Sequence, residues 1–130
     1  MVSVNSIVAV APIVADPAGS AALYGDVLGL DFYRLGNGYL GTEKLDGITH
    51  FGLWPLQEAA RTCFGADSWP TDVPIPQACI EFDVDDFEAA AGELEAAGHR
   101  QLRATESERA ARFLTSDGLI VVVSEGALAG

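Results

Sequence analysis

The first half of the chain opens with an apolar run that predicts a β-strand. Valines recur in step over residues 6–15, as in a strand with two unlike faces. Asp16 and Pro17 then predict a helix start, because the carboxylate can accept the free amides of the first turn and proline lacks an N–H that would have no partner there. Gly29 is a suitable left-handed end for this helix. Its predicted buried stripe consists of Leu23, Tyr24, Val27 and Leu28.

Three further strand-like segments follow this helix. They cover residues 31–35, 39–45 and 48–56. The first pair is separated by Gly36-Asn37-Gly38 and the second pair by Asp46-Gly47, and both sequences are typical of hairpin turns. The pattern therefore predicts a strand, a helix and three further strands, in this order, for the first half of the chain.

Residues 57–76 interrupt this pattern. They contain a short helical start at residues 58–61, followed by a glycine and three prolines around Trp69. This composition is typical of a connector between two structured halves.

The second half repeats the order of the first. Ile80, Phe82 and Val84 alternate with Cys79, Glu81 and Asp83, which predicts a second strand with two unlike faces. Asp85 or Asp86 caps the next helix, and Asp85 with Glu88 has the spacing of a capping box. The later strands are predicted at residues 101–105, 111–116 and 119–125.

The two halves match at an offset of 70 residues. Val14 then corresponds to Val84, and Asp16 to Asp86. Such a repeat predicts two βαβββ modules, at about residues 5–56 and 77–126, within a single domain of 130 residues. The fold class is therefore α+β.

Composition narrows the possible partners. The chain has 7 Lys+Arg against 19 Asp+Glu, a net charge of −12, which disfavours nucleic-acid binding. Cys63 and Cys79 form no disulfide-dense pattern, as expected in a reducing compartment. The N-terminus lacks a basic signal-peptide region, and no apolar run is long enough to span a bilayer. We therefore expect a cytoplasmic protein without membrane or nucleic-acid partners.

Three segments resemble the glyoxalase/bleomycin-resistance/dioxygenase, or vicinal oxygen chelate, superfamily. They are IVAVAPIVADPAGSAALYGDVLGLDFY (7–33), ACIEFDVDDFEAAAGELEAAGH (78–99) and FLTSDGLIVVVSE (113–125). The resemblance implies a cup-shaped mixed sheet with helices outside, and a homodimer as the usual assembly. Family members include isomerases, ring-cleaving dioxygenases, thiol transferases and metal-free antibiotic-binding proteins.

The resemblance also implies where a metal would bind. In metal-dependent members, two His and two Glu type ligands lie on four strands that line the cup. The corresponding residues of this chain, called here the four ligand positions, are Ala9, Gly52, Cys79 and Val122. A methyl group, a hydrogen, a thiol and an isopropyl group do not form a metal site. We therefore expect no metal and no other cofactor.

Strand alternation selects the other residues of the expected cup. If Phe51 and Leu53 are buried, their neighbours His50, Gly52 and Trp54 face the cup. Ala11, Glu81, Asp83 and Ser124 join them by the same argument, with Trp69 as a possible aromatic at the cleft mouth. Each also has an ordinary structural interpretation: His50 as a hydrogen-bonded residue, the tryptophans as core or loop anchors, and Cys79 as an inert thiol.

Three functional hypotheses remain open on this basis. The first is a metal-free protein that binds an aromatic or cationic small molecule, as antibiotic-sequestering family members do, in an acidic cup containing Trp54. The second is a glyoxalase-like isomerase or lyase in which His50 or Glu81 moves a proton without a metal. The third is a protein whose cup is filled by its own side chains and which acts through partners.

Overall fold

A computed structural model describes residues 2–102 and 109–126. Within these ranges the chain forms one curved mixed sheet of eight strands with three α-helices. In chain order the elements are β1 (Val4–Val14), α1 (Pro17–Ala21) with a π-helical continuation (Ala22–Val27), β2 (Tyr33–Arg34), β3 (Leu40–Thr42), β4 (His50–Pro55), α2 (Leu56–Phe64), β5 (Ala78–Val84), α3 (Phe87–Ala96), β6 (Arg100–Gln101), β7 (Ala110–Leu114) and β8 (Leu119–Ser124).

The sheet consists of two similar halves joined at its centre. The strand order is β2-β3-β4-β1-β5-β8-β7-β6, and β1 pairs antiparallel with β5 across the middle. Within each half the first and last strands are parallel, with Ala9 opposite His50 in one half and Cys79 opposite Ile120 in the other. Adding 70 to the residue numbers of the first pair, 9 and 50, gives those of the second pair, 79 and 120. The internal repeat of the sequence is thus present in the strand register.

An aspartate begins each outer helix. Asp16 Oδ1 accepts a hydrogen bond of 3.2 Å from the amide of Gly19, and Pro17 occupies the first helical position. At α3 the cap is Asp86, whose Oδ1 accepts from the amides of Glu88 and Ala89. The proposed capping box from Asp85 is not formed. Asp85 instead accepts a hydrogen bond of 2.9 Å from the amide side chain of Asn5.

Helices α1 and α3 cover the convex face of the sheet, one on each half. Beneath α1 lie Val14, Leu40 and Leu53, and beneath α3 lies a cluster that includes Val84 and Phe113. These residues are at most 8% exposed. Phe51 and Leu53 both belong to this convex-face core, as alternation predicts, so the neighbouring residues of β4 face the concave side.

The predicted stripe of the first helix is only partly correct. Tyr24 packs on the sheet, but Leu23, Val27 and Leu28 are 48%, 75% and 58% exposed. The reason is the π-helical winding of this segment, in which the amide of Leu28 donates to the carbonyl of Leu23. The wider turn rotates later residues away from the face expected of a 3.6-residue helix.

The connector contains a longer helix than its sequence indicates. Helix α2 begins directly after β4 and ends at Gly65, which has a φ of 68°. Its residues Ala59, Ala60 and Cys63 are at most 2% exposed and pack with Ile120 and Val122 of β8, which lie on the concave face. The two alanines allow a close approach of the helix to the sheet. Helix α2 therefore fills one end of the concave face and leaves the other end open.

No helix of the described residues is both long and apolar enough to cross a membrane.

Candidate functional site

The open end of the concave face contains a cavity of about 400 Å³, which we call the cup. Its walls come from both halves of the sheet and from the segment before β3. Small residues form much of its floor, and aromatic and charged side chains surround them. The lining residues are Ala9, Ala11, Tyr39, His50, Trp54, Cys79, Glu81, Arg109, Ala110, Arg112, Val122, Ser124, Glu125 and Gly126.

One row of paired residues crosses the cup from side to side. Ala9 lies opposite both His50 and Glu81, and Val122 lies opposite both Glu81 and Arg112. The row therefore runs imidazole, methyl, carboxylate, isopropyl and guanidinium. Neighbouring strands are about 4.8 Å apart, so the backbone position of Glu81 is roughly 10 Å along the sheet from those of His50 and Arg112. A small molecule above the two apolar positions would lie between charged or polar groups.

Glu81 is held in the middle of this row. Its Oε2 accepts a hydrogen bond of 2.7 Å from the hydroxyl of Ser124, which is itself 5% exposed. This bond satisfies part of the acceptor capacity of the carboxylate and fixes its direction. The remaining lone pairs are suited to accept a hydrogen bond from a ligand.

His50 is hydrogen-bonded on both sides of its ring. Its Nε2 contacts the hydroxyl of Tyr39, and its Nδ1 lies 3.3 Å from Oε2 of Glu43. The other oxygen of Glu43 accepts from the hydroxyl of Tyr33 at 3.2 Å. The rings of Tyr39 and His50 are stacked, with centroids 5.7 Å apart and planes 9° from parallel. These four side chains form a connected series from the cup to the exposed carboxylate of Glu43.

Two glycines make room for this series. Gly41 and Gly52 are paired across β3 and β4 on the concave face. A Cβ on Gly52 would collide with the phenol of Tyr39 and lie 3.0 Å from His50 Nε2, and a Cβ on Gly41 would lie 2.8 Å from both Tyr33 Oη and His50 Cε1. The rings can therefore lie flat on the strands only because both positions lack side chains.

The four ligand positions do not fit a metal ion. Ala9, Gly52 and Val122 offer no donor atom, and the phenol of Tyr39 occupies the space of a side chain at Gly52. Burial raises the pKa of the Cys79 thiol to about 12, and this sulfur is the single donor atom that the four positions offer, which is too few to hold a metal. Among residues 2–102 and 109–126, no group of three or more His, Cys, Asp or Glu side chains is placed to hold a metal.

Most of the residues selected by alternation lie together. Ala9, Ala11, His50, Trp54, Cys79, Glu81, Val122 and Ser124 all line the cup. Gly52 is on the same face but is covered by Tyr39. Asp83 lies beyond the cup, where its carboxylate accepts from Asn5 at 3.3 Å.

Trp69 does not line the cup, although it borders a second cavity beside Pro17 and Pro55. This side chain is 7% exposed and packs in the core beneath α2. Its indole N–H donates to the carbonyl of Val73 at 3.1 Å, and its ring meets Phe64 edge to face at 4.9 Å between centroids.

Four polar cup residues were not identified from the sequence: Tyr39, Arg109, Arg112 and Glu125. Arg112 could have been found, since it alternates with Ala111 and Phe113 on a predicted strand and therefore faces inwards. Arg109 forms an ion pair of 2.9 Å with Glu125 at the rim. Because of these two guanidinium groups the cup is less acidic than the sequence suggested.

The chain resembles several solved structures over most of its length. It matches the NAD-dependent benzaldehyde dehydrogenase from Legionella pneumophila with a TM-score of 0.56 and 12% identity, covering 90% of this chain and 96% of that one. A glyoxalase/bleomycin resistance protein/dioxygenase superfamily member from Vibrio splendidus 12B01 gives a TM-score of 0.54 and 16% identity, with 96% and 99% covered.

A third similar structure is 2,2',3-trihydroxybiphenyl 1,2-dioxygenase from Sphingomonas wittichii strain RW1. Its TM-score is 0.52 at 15% identity, and the match covers 95% of this chain but 40% of the dioxygenase. No protein-family model matches the sequence, and comparison with curated proteins gives no match. At these identities the similarity concerns the fold, and the chain has the fold of the glyoxalase/bleomycin resistance/dioxygenase superfamily.

Proposed function

We propose that this protein binds a small molecule in the cup without a metal ion. The observation that carries the proposal is a cavity of about 400 Å³ whose floor positions Ala9, Cys79 and Val122 give a metal no suitable donor set, while Trp54 and Glu81 line the same space. Ligand cavities are commonly concave and largely apolar, with a few polar groups that orient the ligand. In this proposal the role is sequestration, as of an antibiotic or another drug.

The lining supports a ligand with an aromatic body and a donor or cationic group. The indole of Trp54 offers a flat apolar surface, and Glu81 offers a fixed carboxylate. A desolvated contact between a cation and an indole contributes about 2 kcal/mol. A hydrogen bond to a charged group contributes about 1.5–3 kcal/mol. Loss of either contact therefore weakens binding roughly tenfold or more.

A thermal-shift screen against drugs and metabolites tests this proposal. A ligand of the native state raises the melting temperature by mass action. For a molecule found in this way, Trp54→Ala and Glu81→Gln should each weaken binding about tenfold, as measured by calorimetry. Glu95→Gln, on an exposed position of α3, is the matched control and should bind like the wild type. Normal binding by both cup variants would place the ligand elsewhere.

A second candidate function is metal-independent acid–base catalysis by His50 or Glu81, of the isomerase or lyase class. It is favoured by the two-sided hydrogen bonding of His50, because a base oriented by a carboxylate is a recurring feature of proton-transfer sites. Turnover of a candidate substrate that is lost in His50→Gln with ligand binding retained, or lost in Glu81→Gln at saturating substrate, would support it. Turnover unchanged in both variants would refute it.

From the family resemblance alone we also propose that the chain forms a homodimer and acts in the cytoplasm. Light scattering distinguishes the assembly directly, since one chain has a mass of 13.6 kDa. A molar mass equal to that of one chain at working concentration would contradict the dimer.

A further inference from the structure

Tyr39, His50 and Glu43 form a hydrogen-bonded series that has one end in the cup and the other at the surface. Tyr39 and His50 line the cup, and the Glu43 side chain is 54% exposed. The contacts run from the Tyr39 hydroxyl to His50 Nε2 and from His50 Nδ1 to Glu43 Oε2, the latter at 3.3 Å. The series lies over Gly41 and Gly52, and both positions must lack a side chain because a Cβ at either one would collide with these rings. The local backbone is thus built around the series.

The chemistry of the three groups fixes the direction of the hydrogen bonds. An ionised carboxylate only accepts, so His50 Nδ1 carries the hydrogen towards Glu43. In a neutral imidazole the other nitrogen, Nε2, is then an acceptor, and the Tyr39 hydroxyl donates to it. Burial raises the pKa of Tyr39 well above its usual value of 10.0. The phenol therefore keeps its proton until a base in direct contact removes it.

We propose that Tyr39 is a proton-transfer group of the cup, and that His50 and Glu43 position it and relay its proton. When a molecule in the cup gives a proton to Tyr39 Oη, the phenol hydrogen moves to His50 Nε2, and the Glu43 carboxylate balances the imidazolium. The reverse movement returns the proton. The suitable substrate class has an acidic O–H or N–H, or a C–H next to a carbonyl. The inference rests on the proposed function only in requiring that a small molecule enters the cup.

Benzenesulfonyl fluoride tests the relay without a natural ligand. The Tyr39 oxygen attacks the sulfur, an S–O bond forms, the S–F bond breaks, and His50 takes the phenol proton as fluoride leaves. A cavity of about 150 Å³ can hold benzene, so the cup has room for the reagent. Tyr33 is the internal control, because it is 43% exposed but its hydroxyl contacts a carboxylate instead of an imidazole. Peptide mass spectrometry should find Tyr39 labelled faster than Tyr33.

Variants separate a relay from a merely structural role. His50→Ala should slow labelling of Tyr39 roughly 100-fold, because general base catalysis contributes about 10²–10⁴ in rate. Added imidazole should restore much of this rate, and Glu43→Gln should give an intermediate loss, whereas Glu95→Gln should have no effect. Labelling of Tyr33 ahead of Tyr39 in the wild type would overturn the proposal, and so would His50→Ala labelled at the wild-type rate. Either outcome would leave the tests of ligand binding at Trp54 and Glu81 unaffected.

Discussion

Gly52→Ala is the substitution whose effect the structure specifies most closely. A Cβ at this position would collide with the Tyr39 phenol and lie 3.0 Å from His50 Nε2, so the Tyr39 ring must move. Overpacking of this kind costs about 1–3 kcal/mol. Loss of the Tyr39–His50 hydrogen bond adds about 0.5–1.5 kcal/mol. We therefore expect the free energy of unfolding to fall by roughly 2–4 kcal/mol, a large part of the roughly 5–15 kcal/mol of a typical domain.

Urea unfolding followed by circular dichroism measures this loss, with an unchanged m-value showing that the folded state stays compact. Gly92→Ala is the matched control, because Gly92 is an exposed helical residue with nothing within 4 Å of its Cβ position. It should stabilise the protein by about 0.5–1 kcal/mol. In a Tyr39→Ala background Gly52→Ala should cost less, since the collision with the phenol is absent and only the close contact of 3.0 Å with His50 Nε2 remains. Wild-type stability of Gly52→Ala would show that Tyr39 does not cover this position.

Three further results are expected. Purified protein should contain far less than one transition metal ion per chain, and EDTA should leave its melting temperature unchanged. Elemental analysis that finds nearly one metal ion per chain would show that the four ligand positions do not exclude a metal. Burial raises the pKa of Cys63 to about 11 and that of Cys79 to about 12, above the usual 9.0. As the pH rises, the thiols of the unfolded chain therefore lose their protons before those of the folded protein. Stability in urea should therefore fall as the pH rises above about 9, and a flat profile would contradict this burial. Asp86→Ala should cost about 1 kcal/mol of stability through loss of the α3 cap, and a loss below about 0.3 kcal/mol would mean that the cap is dispensable.

Strand alternation was sufficient to predict most of the cup. On β4, the burial of Phe51 and Leu53 placed His50 and Trp54 on the opposite face, and the structure confirms this arrangement. On β5, the alternation of Ile80 and Phe82 with Glu81 placed this carboxylate on the opposite face, and it lines the cup. These features depend on local periodicity, which a sequence shows directly.

The features that the sequence did not reveal depend on tertiary packing. Tyr39 lies next to a hairpin turn, and only the cross-strand pairing of Gly41 with Gly52 shows that its ring covers the sheet. Helix α2 is stabilised by burial of small residues against the concave face, a contact between segments distant in sequence. Part of the strand predicted at residues 101–105 lies outside the described residues.

Binding of a screened ligand in the presence of EDTA, measured by calorimetry and Trp fluorescence, shows directly whether the cup works without a metal ion. We expect the same dissociation constant with and without EDTA. We also expect an emission change that disappears in Trp54→Ala, because Trp69 is buried away from the cup. Glu81→Gln should bind the ligand roughly tenfold more weakly. Binding abolished by EDTA, or an affinity unaffected by both substitutions, would contradict a metal-independent cup formed by these residues.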